Sequence, residues 1–149
     1  MLKKNIIILF LIVLLSNCGF TPIYIKNNNT NFSIEKMDFT GDRELNNFLK
    51  SNLNQYKNKK VNNKIYIEAV SIYEKNILSK NSSGEVTKYQ LDAEIVFKIK
   101  PSNKEIKITE KKIMNSMSDK FEEARYERLI KQSFASSISN KLSSKLISN

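Results

Sequence analysis

From Tyr89 to Ile99 every odd-numbered position is apolar, and the even positions are charged or amide residues except Val96. That period of two predicts a long strand with one face on a core and the other toward water or a partner. Upstream, Ile65, Ile67 and Ala69 point one way while Tyr66, Val70 and Ile72 point the other. They predict a strand from Lys64 to about Leu78 in which neither face is wholly polar. Phe32-Ser-Ile34 opens an earlier strand running toward Phe39, and Ile106 and Ile108 begin a later one. Ile113 to Met117 continue the later strand on a pattern irregular enough for a bulge. Leu45, Phe48, Leu49, Leu53 and Tyr56 recur at three- and four-residue spacing, which predicts an amphipathic helix from Arg43 to about Tyr56. Thr40-Gly41-Asp42 breaks the preceding strand, with Asp42 as the N-cap, and the polar cluster Lys57 to Asn63 closes the helix. Tyr126, Ile130, Phe134, Ile138, Leu142 and Leu146 form the stripe of a long final helix capped by Ser118 or Asp119, beside which Ala124 and Ala135 allow close approach. Ser79 to Gly84 and Pro101 to Lys104 are turns, the second tight enough to predict an antiparallel hairpin. The order is β-α-β-β-β-α. It predicts an α+β fold: a two-layer sandwich whose four-stranded, mostly antiparallel sheet carries two helices on one face and leaves its polar face open.

One apolar stretch fits none of these elements. Ile6 to Leu15 is unbroken, follows a short basic start (Lys3, Lys4) and precedes Cys18, the chain's single cysteine. The run is shorter than the about 20 residues needed to span a bilayer, and this order predicts a secretory signal peptide. Leu15-Ser16-Asn17-Cys18 is similar to the lipobox of bacterial lipoproteins, with Asn17 standing where those usually carry Gly, Ala or Ser. The likeness implies cleavage after residue 17 and a diacylglyceryl and N-acyl lipid on Cys18. The expected organisation is then a signal over 1–17, a lipidated N-terminus and tether over 18–31, and a single domain over 32–149.

Composition narrows the chemistry. The chain has 25 Lys and Arg against 15 Asp and Glu, a net charge of +10 that falls by two when Lys3 and Lys4 leave with the signal. An exported chain whose only arginines are Arg43, Arg125 and Arg128 is a poor candidate for nucleic acid, because the bidentate readers of phosphate and guanine are scarce. With no histidine and its one cysteine assigned to lipid, the chain lacks the parts for Cys-His or Ser-His-Asp catalysis and for zinc sites built on these residues. Glu122-Glu123 and Asp38/Asp42 sit in no catalytic motif and are expected on solvated faces. No phosphate-binding loop or nucleophile elbow occurs. The expectation is a protein that is not an enzyme, with no catalytic residue, no metal and no cofactor besides the lipid.

Several segments together resemble the LPS-assembly lipoprotein LptE family. Cys18-Gly19-Phe20-Thr21-Pro22-Ile23-Tyr24 looks like that family's Cys-Gly-Phe-x-Pro-(Leu/Ile)-Tyr opening. Asp42-Arg43-Glu44-Leu45-Asn46-Asn47-Phe48-Leu49 is similar to its first helix. Tyr73 to Phe97, with Lys88-Tyr89, follows its strand, Gly-containing turn and strand, and Ala124 and Arg128 fall in its last helix. Asn115-Ser116-Met117 stands where relatives often carry Ser-Tyr-Asn. The resemblance implies an outer-membrane lipoprotein that plugs the lumen of the LptD β-barrel, assists its assembly and helps deliver lipopolysaccharide to the outer leaflet. Gly19 after the cysteine fits the sorting habit of outer-membrane lipoproteins. The alternative is a lipid-binding auxiliary lipoprotein of another envelope transport system. Lys88, Lys98, Lys100 and Lys104, on the open face or its turns, are the candidate contacts for lipopolysaccharide phosphates; the plainer reading is that they keep a Lys-rich surface soluble.

Overall fold

A computed structural model describes residues 31–148, so the predicted signal, Cys18, most of the 18–31 tether and Asn149 lie outside the described residues. The elements are β1 (Ser33–Gly41), α1 (Arg43–Leu53) with a short 3-10 turn at Asn54–Tyr56, β2 (Lys64–Lys80), β3 (Val86–Lys100), β4 (Lys104–Asn115) and α2 (Lys120–Ile147). The four strands lie in the order β1-β2-β3-β4. β1 runs parallel to β2 across the α1 crossover, whereas β2/β3 and β3/β4 are antiparallel hairpins. The order and the two-layer α+β architecture are those predicted from the residue pattern.

The alternation of β3 sets the core. Leu91, Ala93, Ile95, Phe97 and Ile99 are all buried, flanked by Ile65, Ile67 and Ala69 of β2 and by Ile106, Ile108 and Met114 of β4. α1 covers this face with Leu45, Leu49 and Leu53, and α2 with Ile130, Phe134, Ala135, Ile138 and Leu142. Phe39 of β1 meets Phe97 edge to face, with centroids 6.5 Å apart, a favoured aromatic geometry.

The β1-α1 junction is built by two residues. Gly41 adopts φ +97°, and a Cβ there would stand 1.8 Å from the Ser71 carbonyl oxygen of β2. Only glycine fits both demands. Asp42 then caps α1, its Oδ1 accepting from the Leu45 N–H at 2.7 Å.

Four sequence expectations are corrected. β4 ends at Asn115 and pairs with β3 without a register shift; the irregularities fall instead in β1 at Ile34/Lys36 and in β2 between Ile77 and Lys80. Tyr126, expected in the core stripe of α2, is 38% exposed, and Ala124 is exposed too. Glu123, expected on a solvated face, is buried. Asp42, placed with it, is half-buried and bonded to Lys131 of α2. The corrections in α2 share a cause: its first half lies on a charged seam of β2 rather than on apolar residues.

Candidate functional site

The helices leave one side of the sheet uncovered, and the even positions of β2 and β3 point there. Most of its charges are paired across strands. Lys100 bonds Glu68, Lys107 reaches Glu94 at 2.6 Å, and Lys111 reaches Asp92 at 3.3 Å. At the β1 edge Lys36 pairs with Asp38 at 2.7 Å, and Tyr66 Oη donates to Glu35 at 2.6 Å. Lys64, with the Tyr66 hydroxyl behind it, holds the Glu35 carboxyl below its usual range. The Gln90 amide, helped by Lys111, does the same for Asp92. Among these ladders runs an apolar lane. Val70 and Ile72 are 51% and 52% exposed, and Val70 sits directly across from the half-buried Val96. The open face is therefore polar but locally neutralised, with an apolar centre.

The sequence-selected lysines do not form one site. Lys98 and Lys100 lie on the open face near one end of the sheet, whereas Lys104, at the start of β4 and in register with the buried Ile99, falls on the helix-covered side of that end. Lys88 lies at the other end of β3, about 40 Å away at ~3.3 Å per residue, against Ser79 and Asn115. Lys104 also lines a cleft of about 490 Å³ at its end of the sandwich. Phe32, Ile65, Ile99 and Leu146 supply apolar wall to this cleft, and Lys145 shares the lining.

Two arrangements carry no local sequence signal. The first is the seam between β2 and the first half of α2. Glu123 accepts from Lys75 Nζ at 3.1 Å, Lys120 Nζ at 3.1 Å, Ser116 Oγ at 3.1 Å and the Met117 N–H at 2.9 Å. Burial opposes its ionisation, yet these donors outweigh it and hold the carboxyl at about 2. Glu127 accepts from Lys75 at 2.9 Å and from Tyr73 Oη at 2.9 Å. Burial together with Glu127 pushes the Tyr73 phenol well above its usual range. Lys131, 4.1 Å from the Tyr73 ring centre, continues the chain of charges to Asp42 and Glu44. This seam fastens helix to sheet. The second arrangement is a group of lysines in the loop after α1. The Lys57 to Asn63 cluster reads in sequence only as a helix terminator, but β1 pairing brings Lys57 beside Ile34, and the Lys59 N–H donates to Ser33 Oγ at 3.0 Å.

The fold recurs in solved lipoproteins. Rare lipoprotein B from Shewanella oneidensis superposes with a TM-score of 0.57 at 15% identity, over 76% of this chain and 94% of that one. Uncharacterized lipoprotein B from Nitrosomonas europaea gives 0.55 at 19% identity, over 79% and 86%. A minor lipoprotein from Acinetobacter baumannii gives 0.50 at 15% identity, over 74% and 93%. No family model and no curated protein matches the chain. At these identities the likeness is one of fold: the chain has the two-layer α+β architecture of these bacterial lipoproteins.

Proposed function

We propose that this chain is an outer-membrane lipoprotein of the LptE kind, anchored through lipid on Cys18 and seated in the lumen of an LptD-type β-barrel. There it assists barrel assembly and lipopolysaccharide delivery, as a scaffold and not as an enzyme. The observation that carries the reading is the uncovered sheet face, most of whose charges are already paired across strands. A partner wall meeting that face has few stranded charges to neutralise, and the hydrated, polar interior of a large barrel suits it. The fold shared with bacterial lipoproteins and the Cys18-to-Tyr24 opening support the same reading.

The test is recovery of a partner. Membranes of the native host, solubilised in mild detergent, should yield a large β-barrel with the tagged protein. Recovery of the lipoprotein without any barrel sinks the plug reading. The cleft beside Lys104 favours the second reading, a lipid-binding auxiliary lipoprotein; it expects co-purified lipid and no barrel. Direct contact with lipopolysaccharide is tested by Lys88→Glu, Lys98→Glu, Lys100→Glu and Lys104→Glu together. The variant should bind lipopolysaccharide at least several-fold more weakly, and unchanged binding removes these residues from the contact.

A further inference from the structure

We infer that the end of the domain where the tether joins it is a docking surface for an anionic phospholipid bilayer, holding the domain end-on to its membrane. The inference rests on the lipid attachment at Cys18 proposed above. Phe32 is buried at this end, packed 5.4 Å from the Tyr56 ring, and the Ser33 N–H is fixed to the Asn63 carbonyl at 2.8 Å. The chain from Cys18 therefore reaches the domain at one defined end.

That end is basic. Lys59 and Lys60 are exposed in the loop after α1, Lys57 lies beside them half-buried, and Lys104 stands across the cleft from Phe32. None of these four lysines forms an ion pair among the described residues. The carboxylates nearby are largely committed. Glu35 is held by Lys64 and the Tyr66 hydroxyl, Glu68 by Lys100, Asp38 by Lys36, and Glu105 lies opposite Lys98. The opposite end differs: at the β2-β3 turn and the start of α2, Lys80, Lys88 and Lys120 are interleaved with Glu85 and Asp119.

Geometry makes the asymmetry matter. Residues 19–30 reach at most about 40 Å when fully extended, while the 17 residues of β2 carry the far end roughly 50 Å from the near one. Attachment at one residue does not by itself fix how the domain stands on the bilayer. Uncommitted lysines at the near end favour one orientation, because each gains from anionic headgroups only within about a Debye length of the surface. A lipid anchor with a basic patch is a recognised pairing of two membrane signals. End-on, the open sheet face stands perpendicular to the membrane plane, parallel to the wall of a barrel in the same membrane.

The experiment uses the full, lipidated protein in bilayers of phosphatidylcholine, with and without phosphatidylglycerol. A fluorophore is placed at the near end through Ser102→Cys, or at the far end through Ser82→Cys, and quenched by a nitroxide on lipid headgroups. Quenching at position 102 should rise several-fold when phosphatidylglycerol is present and fall back in high salt, while position 82 stays weakly quenched. The variant carrying Lys57→Gln, Lys59→Gln, Lys60→Gln and Lys104→Gln should lose the dependence on phosphatidylglycerol with an unchanged circular dichroism spectrum. Equal quenching at both ends, or a Gln variant that behaves as the parent, overturns the docking. Absence of acyl mass on Cys18 overturns the lipoprotein reading itself, and the end-on orientation with it.

Discussion

Gly41 and Glu123 show how differently single residues announce themselves. At Gly41 a methyl group would overlap the Ser71 carbonyl, itself hydrogen-bonded to the Asp42 N–H that starts the turn into α1. Neither strand can retreat without losing the parallel pairing, and the positive φ adds strain. Gly41→Ala should therefore cost about 2–4 kcal/mol, read as a lowered urea midpoint. Thr40-Gly41-Asp42 was legible as a break because glycine and a capping acid serve local backbone needs. Glu123 was not legible. An acid beside Glu122 in the first turn of a helix reads as solvated, and its Lys75 partner lies 48 residues away in sequence. Its carboxyl ionises at about 2 in the fold against an ordinary value of 4.5. A depressed carboxylate stabilises fully above the unfolded value, and the contribution drains away as pH falls from about 5 toward 2. Glu123→Gln should thus lose on the order of 2–3 kcal/mol at neutral pH and little more on acidification. Denaturant unfolding at pH 7 and pH 3 checks this, and a variant with the parent's full pH dependence refutes it.

The same contrast recurs between elements. β3 was readable from Tyr89 to Ile99, though it begins at Val86, because a half-buried strand must alternate, and its odd positions from Leu91 to Ile99 are the centre of the core. The second half of α2 was readable for a related reason: Ile130, Phe134, Ile138 and Leu142 recur every four residues and are buried. Its first half followed the stripe on paper through Tyr126, yet Tyr126 is 38% exposed, and Phe121 and Leu129, off the stripe, are exposed at 74% and 53%. There the helix rests on Lys75 and Tyr73 of β2 through its own Glu123, Glu127 and Lys131, contacts that no single-helix pattern encodes. An element held by ion pairs at one end and by apolar packing at the other opens unevenly, since local stability follows buried apolar contact. Backbone amides of residues 120–129 should exchange with solvent on the order of tenfold faster than those of 130–143, measured by hydrogen exchange at neutral pH. Uniform protection along α2 would show that the seam holds as firmly as the core.

At the scale of the whole molecule, the two layers and the uncovered sheet face followed from patterning alone, while the character of that face followed only in part: Val70 and Ile72 were legible on it, their alignment with Val96 was not. Alternation in β3 suggested a polar surface; β2 brings Val70 and Ile72 onto it, and antiparallel register sets Val70 against Val96. Besides Ile77, Leu78 and Ile113 at the far end of the sheet, two exposed apolar surfaces thus compete as the partner-facing side: this lane, and the scattered Phe121, Tyr126 and Leu129 of α2. The lane is the stronger candidate because its members are neighbours on a flat, rigid sheet, and rigid, contiguous groups lose little freedom on binding. Val70→Asp with Ile72→Asp should leave stability within about 1 kcal/mol, since both side chains are half in water already. The same pair should abolish recovery of a β-barrel from native membranes. Leu129→Asp should leave that recovery intact. If instead the Leu129 variant loses the barrel and the sheet variant keeps it, the helical layer is the face that meets the wall, and the charge ladders of the open sheet serve solvation alone.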